Sequence, residues 1–123
     1  MPADQLQIRT SLGTRDGQKI VRLSGPLTIA TLFGFQELVR SDKSTGLILD
    51  FSEVPYVDSA GLGSVLGAYV SRQKDGRKLA LVGVSERVMN VFKLTRVDQF
   101  FSFHPSIPAA EQALEDSSQA VEG

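Results

Sequence analysis

A serine that directly follows an aspartate, Asp58-Ser59, lies where a buried strand is predicted to give way to a helix. The apolar run 47–49 is typical of a strand covered on both faces, as in a parallel sheet. Beyond the serine the apolar residues follow helical spacing: Leu62, Val65, Leu66, Tyr69 and Val70. Ser59 is therefore predicted near the N-cap of this helix, where its hydroxyl can accept from a free backbone N–H. A plain cap is the simpler interpretation, but a phosphate on that hydroxyl would also meet unpaired N–H groups and the positive end of the helix dipole.

The helix face opposite this apolar stripe is small and uncharged as far as Arg72. A turn of 100° per residue places four residues there: Ala60, Ser64, Gly67 and Ser71. An ordinary solvated helix face carries Glu, Lys and Gln, because these residues favour both helix and solubility. Gly63 and Gly67 inside the helix each cost up to about 1 kcal/mol relative to alanine. Two explanations stay open: another part of this chain packs closely on the face, or a partner protein does.

The residues around Ser59 resemble a known bacterial family. The segment 58–63, Asp-Ser-Ala-Gly-Leu-Gly, lies between 49–52 and 65–69 and is similar to the signature of anti-sigma factor antagonists. These are single-domain STAS proteins, and the resemblance extends over residues 6–114. It implies a STAS fold for this chain.

The resemblance also implies a regulatory binding module and no enzyme activity. In this family the serine after the aspartate, here Ser59, is phosphorylated by a partner that is both an anti-sigma factor and an ATP-dependent serine kinase. The unmodified protein is then expected to bind that partner and free a sigma factor, and phosphorylation is expected to release it; a serine phosphatase is a further expected partner. The expected partner-binding residues are Asp58, Ala60, Gly61, Leu62, Gly63, Ser64 and Gly67. The alternative function is an unphosphorylated STAS scaffold subunit of a larger signalling or transport assembly.

Composition predicts one small cytoplasmic domain. The chain has 123 residues, of which 41% are hydrophobic, enough for a single core without disulfides. Thirteen basic and fourteen acidic residues give a net charge of −1, so we expect neither nucleic acid nor a membrane surface as a partner. The absence of cysteine excludes disulfides, thiolate metal sites and cysteine nucleophiles. No signal peptide and no membrane-spanning stretch is recognisable, and we expect a cytoplasmic monomer or weak dimer.

Strands are predicted to alternate with helices, which favours an α/β fold. We expect a mixed, mostly parallel sheet of four or five strands with about four helices and an antiparallel N-terminal pair, whose turn contains Asp16-Gly17. The predicted strands are 6–12, 19–23, 47–51, 79–84 and 100–103. Four helices are predicted: 29–40, one that begins at Ser59 and ends near Gly76, one capped by Ser85, and 107–114. The first is capped by Thr28, and its predicted buried side consists of Ile29, Leu32, Phe35 and Val39. We expect residues 1–123 to form one domain with its core at about 6–114 and a disordered acidic tail at about 116–123.

A catalytic serine is less consistent with these residues. A serine hydrolase would place Ser59 in Gly-x-Ser-x-Gly, but Val57 occupies the first glycine position. The single histidine, His104, would have to complete a triad, although a lone histidine is more often a surface or edge residue. We therefore expect no catalytic residue.

Metal and cofactor sites are also less consistent with the sequence. Asp50, Glu53 and Asp58 follow one strand and are more typical of loop caps than of a divalent-metal site. The glycine spacing at 61–67 fits neither a dinucleotide fingerprint nor a P-loop. A phosphoacceptor receiver domain would need paired acids after an early strand, where this chain has 24–26, Ser-Gly-Pro. We expect no metal and no cofactor.

Overall fold

A five-stranded mixed sheet forms the centre of the computed structural model, which describes residues 5–122, with side chains as far as Asp116. The strands lie side by side in the same order as in the chain. They are β1 Gln7–Leu12, β2 Gln18–Ser24, β3 Gly46–Glu53, β4 Lys78–Val82 and β5 Phe103–His104. β1 pairs with β2 in antiparallel fashion, and every later pair is parallel. The α-helices of the described residues are α1 Leu32–Ser41, α2 Ser59–Lys74, α3 Glu86–Leu94 and α4 Ile107–Glu122. The predicted fold class is confirmed.

β3 is buried on both faces, as its apolar run predicted. Successive side chains of a strand point to opposite faces of the sheet. Leu47 and Leu49 pack in the layer formed with α1, α2 and α3. Ile48, between them, packs with Ala110 and Leu114 of α4. Three helices therefore cover one face of the sheet, and α4 covers the other.

Local signals set several element ends as predicted. Gly17 in the β1–β2 turn has φ +80°, a backbone conformation that glycine adopts without a steric cost. Gly76, just beyond the end of α2, has φ +73°. Ser85 caps α3, because its hydroxyl accepts the N–H of Val88 at 3.2 Å. These elements depend on contacts within a few residues.

The first helix begins later than predicted, and Ile29 is not buried. The N–H groups of Thr31 and Leu32 both donate to the carbonyl oxygen of Thr28, at 3.0 and 2.9 Å, and so form a turn before the helix. The N–H of Ile29 donates to the carboxylate of Asp58 at 3.0 Å, which holds this turn against the start of α2. Thr31, not Thr28, is the N-cap. The other residues predicted for the buried side of this helix are buried: Leu32, Phe35 and Val39.

The last strand is shorter than predicted. Residues Asp98–Phe100 form a 3₁₀ helix, and only Phe103–His104 pair with β4. The rings of Phe101 and Phe103 both pack edge-on against Phe92 of α3, with centroids 5.3 and 5.5 Å away. This aromatic packing draws the segment towards α3 instead of extending it along β4.

The last helix is longer than predicted. α4 continues from Ile107 to Glu122, whereas we expected a helix at 107–114 followed by a disordered tail at 116–123. Of that tail, Gly123 lies outside the described residues. Ala110 and Leu114 of α4 pack against the sheet, and both lie within the predicted helix 107–114.

A buried ion pair holds the C-terminal end of α2 on the sheet. Nη1 of Arg72 donates to Oδ2 of Asp42 at 3.0 Å, and each side chain is only 3% exposed. The same guanidinium donates to the carbonyl oxygens of Ser44 and Lys78, at 2.6 and 3.0 Å. Burial raises the pKa of Asp42, but the Ser44 hydroxyl and the charges of Arg72 and Lys19 outweigh it and leave that pKa below its ordinary value. Burial lowers the pKa of Arg72. We predicted Arg72 only as the residue at which the uncharged face of the helix ends; its bonds to Asp42, Ser44 and Lys78 explain why it is buried instead.

Loss of the Asp42 charge should strongly destabilise the domain. Asp42→Asn leaves the Arg72 guanidinium buried without a counter-ion, which we expect to cost about 3–5 kcal/mol of unfolding free energy. Urea denaturation followed by circular dichroism measures the loss. Glu37→Gln is the control, because it removes an exposed pair with Arg40 at 3.6 Å and should cost less than about 1 kcal/mol. Similar, small losses for both variants would contradict this role of the buried pair.

Candidate functional site

Asp58 joins the N-terminus of α2 to the loop that follows β2. Its Oδ1 accepts the N–H of Gly61 at 2.7 Å, and its Oδ2 accepts the N–H of Ile29 at 3.0 Å. A carboxylate here also interacts favourably with the positive end of the helix dipole. Asp58 is therefore the N-cap and Ser59 the first residue of the helix, next to the cap as predicted.

Gly61 lets the β2–α1 loop lie directly against α2. Leu27 forms an isolated parallel bridge with Val57, and its carbonyl oxygen accepts the N–H of Asp58 at 3.2 Å. A Cβ on Gly61 would lie 2.0 Å from that oxygen and 2.7 Å from its carbon. No side chain fits in this position without moving the Leu27 backbone.

The Ser59 side chain is exposed in the first turn of α2. None of the hydrogen bonds among the described residues engages its hydroxyl. The N–H of Gly61 already donates to Asp58, but those of Ser59 and Ala60 have no carbonyl partner within the helix and can meet an anion bound nearby. The site therefore combines an exposed serine hydroxyl with the positive end of a helix dipole, an arrangement that is compatible with an anion on that hydroxyl.

The buried face of α2 is turned relative to our prediction. Val70 was assigned to the apolar stripe but is exposed, and Leu66 and Tyr69 are only half-buried. The buried residues of the helix are Gly61, Leu62, Ser64, Val65, Ala68 and Arg72. The helix buries small and charged side chains that hydrophobic periodicity does not identify.

Ser64 belongs to the contact between α1 and α2. Its side chain is 7% exposed, and its hydroxyl donates to the carbonyl oxygen of Gly61 at 2.6 Å. Ser64 and Ala68 lie in the groove between the two helices, opposite Gln36 and Val39 of α1. At this position the small residue accommodates another part of the same chain.

Gly63 and Gly67 have no such internal explanation. Both are exposed, and a Cβ added to either would meet no heavy atom of the described residues within 4 Å. Each glycine nevertheless costs the helix up to about 1 kcal/mol relative to alanine. Packing within the described part of the chain does not offset that cost.

The structure divides the expected partner-binding residues into two groups. Those with exposed or half-buried positions are Asp58, Ala60, Gly63 and Gly67, and they lie beside the exposed phosphorylation candidate Ser59. Those that are buried are Gly61, Leu62 and Ser64. The buried residues pack inside the domain, so their side chains are not available for direct contact with a partner. Leu27 and Ile29 were not predicted here, because only the parallel pairing of β2 with β3 brings their loop beside α2.

The side chains considered for catalysis or metal binding have other roles. His104 lies in β5, where its ring contacts the hydroxyl of Ser102, and burial lowers its pKa. No hydrogen bond among the described residues joins it to Ser59. Asp50 accepts from both the N–H and the hydroxyl of Ser52. Within residues 5–122, the acidic and histidine side chains whose positions are described form no group of three that could hold a metal ion.

No helix of the described residues combines the length and apolar character needed to cross a membrane.

The sequence of the chain is similar to known proteins over most of its length. A model of the STAS domain family matches residues 9–110. The chain is 29% identical over 93 residues to the anti-sigma-B factor antagonist of Staphylococcus aureus strain NCTC 8325 / PS 47, a match that covers 73% of this chain and 84% of that protein.

Solved structures share the fold. A putative anti-sigma factor antagonist from Thermotoga maritima superimposes with a TM-score of 0.81 at 23% identity, covering 88% of this chain and 94% of that one. The phosphorylated form of the Bacillus cell fate determinant SpoIIAA superimposes with a TM-score of 0.66 at 18% identity, covering 88% and 98%.

Alanine substitution should separate the three glycines of α2. Gly61→Ala forces a Cβ into the Leu27 carbonyl and should destabilise the domain by about 1–3 kcal/mol or more. Gly63→Ala and Gly67→Ala fill open space and should stabilise it by up to about 1 kcal/mol each, through helix propensity alone. Thermal and urea unfolding of the three variants measure these differences. A loss of stability in Gly63→Ala or Gly67→Ala as large as that in Gly61→Ala would show that those glycines are needed internally.

Proposed function

The chain belongs to the STAS domain family, and we propose that it is an anti-sigma factor antagonist switched by phosphorylation of Ser59. While Ser59 is unmodified, the protein binds an anti-sigma factor that is also an ATP-dependent serine kinase, and the sigma factor is free to act. The kinase transfers the γ-phosphoryl group of ATP to Ser59 Oγ, which loses its proton, and ADP leaves. A serine phosphatase reverses the modification. The protein acts in the cytoplasm as a binding module, with no catalytic residue, metal or cofactor of its own.

The observation that carries this proposal is the open space beyond Gly63 and Gly67, beside an exposed Ser59. Nothing in the described part of the chain requires these two glycines, although they weaken the helix. Close approach of a partner to the α2 backbone would require residues without side chains at positions 63 and 67. The names of the Staphylococcus relative and of phosphorylated SpoIIAA support the same role.

The geometry also accounts for release after phosphorylation. A phosphate adds a charge of about −1.5 to −2 next to Asp58. A partner surface fitted over Ala60, Gly63 and Gly67 would have to bury that charge unpaired, at a cost of several kcal/mol. The folded domain itself accepts the anion at the helix N-terminus. Binding is therefore lost while the fold is kept.

Ser59 should be the site that the cognate kinase labels. We expect the protein, used as bait in extract of its own organism, to recover an ATP-dependent serine kinase that labels it once per chain. Ser52 and Ser64 are the rival sites, but Ser64 is buried and Ser52 is held by Asp50. Purified kinase, radiolabelled ATP and the variants Ser59→Ala and Ser52→Ala give the measurement.

Label should disappear only in Ser59→Ala. Undiminished label in that variant would refute the site, and recovery of a membrane transport complex without any kinase would favour the scaffold alternative.

A bulky charge on the open face of α2 should block the partner without unfolding the domain. Gly67→Arg should weaken binding of the purified anti-sigma factor at least tenfold, about 1.4 kcal/mol, because it fills the space the partner needs. It should also raise the unfolding free energy, since arginine is a better helix former than glycine. Calorimetric titration and urea unfolding test both expectations. Thr10→Arg, on the exposed edge strand β1, is the control and should bind normally. Normal binding by Gly67→Arg would move the interface off α2.

A further inference from the structure

β1 forms one edge of the sheet, and its outer side is not paired. The strand has six residues, and among the described residues it pairs with β2 alone. The strand at the opposite edge, β5, has only two residues. Proteins commonly protect a free strand edge by making it short, or with proline, a bulge or several charges. β1 has a continuous register with β2, no proline and a single charged residue, Arg9.

Three residues of β1 direct their backbone groups outwards: Ile8, Thr10 and Leu12. The N–H of Gly13 donates to the carbonyl oxygen of Gln18 at 2.9 Å, so Gly13 is hydrogen-bonded to the partner strand. In an antiparallel pair, such positions alternate with positions whose backbone groups point away from the partner. The odd-numbered residues of β1 therefore bond to β2, and the even-numbered ones face solvent. No hydrogen bond among the described residues reaches these outward groups.

A second copy of β1 fits these groups in one antiparallel register. With a two-fold axis at Thr10, this residue lies opposite Thr10 of the second copy, and Ile8 lies opposite Leu12 of the second copy. All three outward residues of each chain then exchange backbone hydrogen bonds, two for each pair. Threonine pairs and apolar pairs are both favourable across strands. The two neighbouring registers pair only two outward residues of β1, and one of them brings Arg9 opposite its own copy, a like-charge pair.

This register also covers an unusually exposed apolar side chain. Leu12 is 83% exposed, whereas Ile8 packs against the core beside α1, where its Cδ1 would lie 3.7 Å from a Cβ on Gly34. Residues directly opposite each other in a sheet lie on the same face. Leu12 would therefore contact Ile8 of the second copy and extend the apolar layer between the sheet and α1.

We propose that β1 is an interaction surface for a second copy of this chain, through which two five-stranded sheets join into one continuous sheet. This inference goes beyond the proposed function and does not depend on it. α2 packs on α1 and β4, whereas β1 lies at the edge of the sheet, so both Ser59 side chains stay exposed in the dimer. One short strand pair buries less than the roughly 1,600 Å² of a standard interface, and the dimer is therefore weak, with a dissociation constant below about 0.5 mM.

Sedimentation equilibrium between about 20 µM and about 1 mM protein measures this dimer. Thr10→Pro removes the N–H on the two-fold axis, which β2 does not use, and an edge strand tolerates proline at such a position. We expect it to weaken dimerisation at least tenfold. Leu12→Ser should weaken it at least about threefold. Leu94→Ser, which removes an equally exposed leucine of α3, is the matched control and should behave as the parent. All variants should keep the far-UV circular dichroism of the parent.

Single cysteines test the register. The chain has no cysteine, so a disulfide in Thr10→Cys can form only between two copies. In the proposed register the two Cα atoms lie about 5.5 Å apart, within the range that a disulfide spans. Ser11→Cys is the control, because it faces position 9 and its own copy lies about 7–8 Å away. Mild oxidation should therefore crosslink Thr10→Cys much faster than Ser11→Cys.

Each result supports or overturns the proposal. A parent chain that stays monomeric at about 1 mM overturns it, as does a folded Thr10→Pro variant that dimerises as the parent does. Equal weakening by Leu12→Ser and Leu94→Ser overturns it too, and equal crosslinking of the two cysteine variants overturns the register. If Thr10→Pro loses its circular dichroism signal, Thr10→Arg replaces it, since it puts like charges opposite each other on the axis. Unchanged dimerisation of Thr10→Arg then overturns the proposal.

Discussion

The functional surface depends on one carboxylate that serves two elements. Asp58 accepts the N–H of Gly61 in the first turn of α2 and the N–H of Ile29 in the loop after β2. Each bond satisfies a donor that its own element leaves unpaired, and both bonds are stronger because the acceptor is charged. Both bonds require the loop after β2 to lie close to the first turn of α2. This close approach is possible only because Gly61 has no side chain, which would collide with the Leu27 backbone. The position of Ser59, between these bonds and solvent, follows from that constraint.

A site built in this way can switch without a change of fold. α2 is held at its start by Asp58 and near its end by the buried pair of Arg72 with Asp42. Between these two attachments the helix offers solvent a face of glycines and short side chains. A phosphate at the first residue of α2 changes the charge of that face where the helix dipole stabilises it. In the proposed switch, the added charge would therefore weaken partner binding far more than it would change the stability of the domain.

Local and periodic signals predicted the fold but only part of the site. The apolar run 47–49 identified the central strand, and Asp16-Gly17 and Ser85 identified a turn and a cap, because each acts over a few residues. Helical spacing placed Ser59 near the N-cap of α2, but sequence alone did not reveal that the cap, Asp58, also accepts the N–H of Ile29. Periodicity also gave no sign that Arg72 is buried, because its partner Asp42 is distant in sequence. Such pairings require the tertiary fold.

The two interior glycines illustrate the same limit. The sequence alone predicts that Gly63 and Gly67 weaken the helix. It does not predict whether another part of the chain packs against them. Neighbouring positions differ in the structure: Ser64 is buried where α2 meets α1, whereas Gly63 and Gly67, which line the same groove, have open space where a Cβ would lie. Only the second observation points to a partner.

The most direct test of the central claim is one pair of titrations with the purified anti-sigma factor. The protein is titrated unmodified and after complete phosphorylation of Ser59, and the unfolding free energy of both forms is measured in parallel. The account predicts at least tenfold weaker binding by the phosphorylated form, with unfolding free energies within about 1 kcal/mol of each other. Equal dissociation constants for the two forms would contradict it.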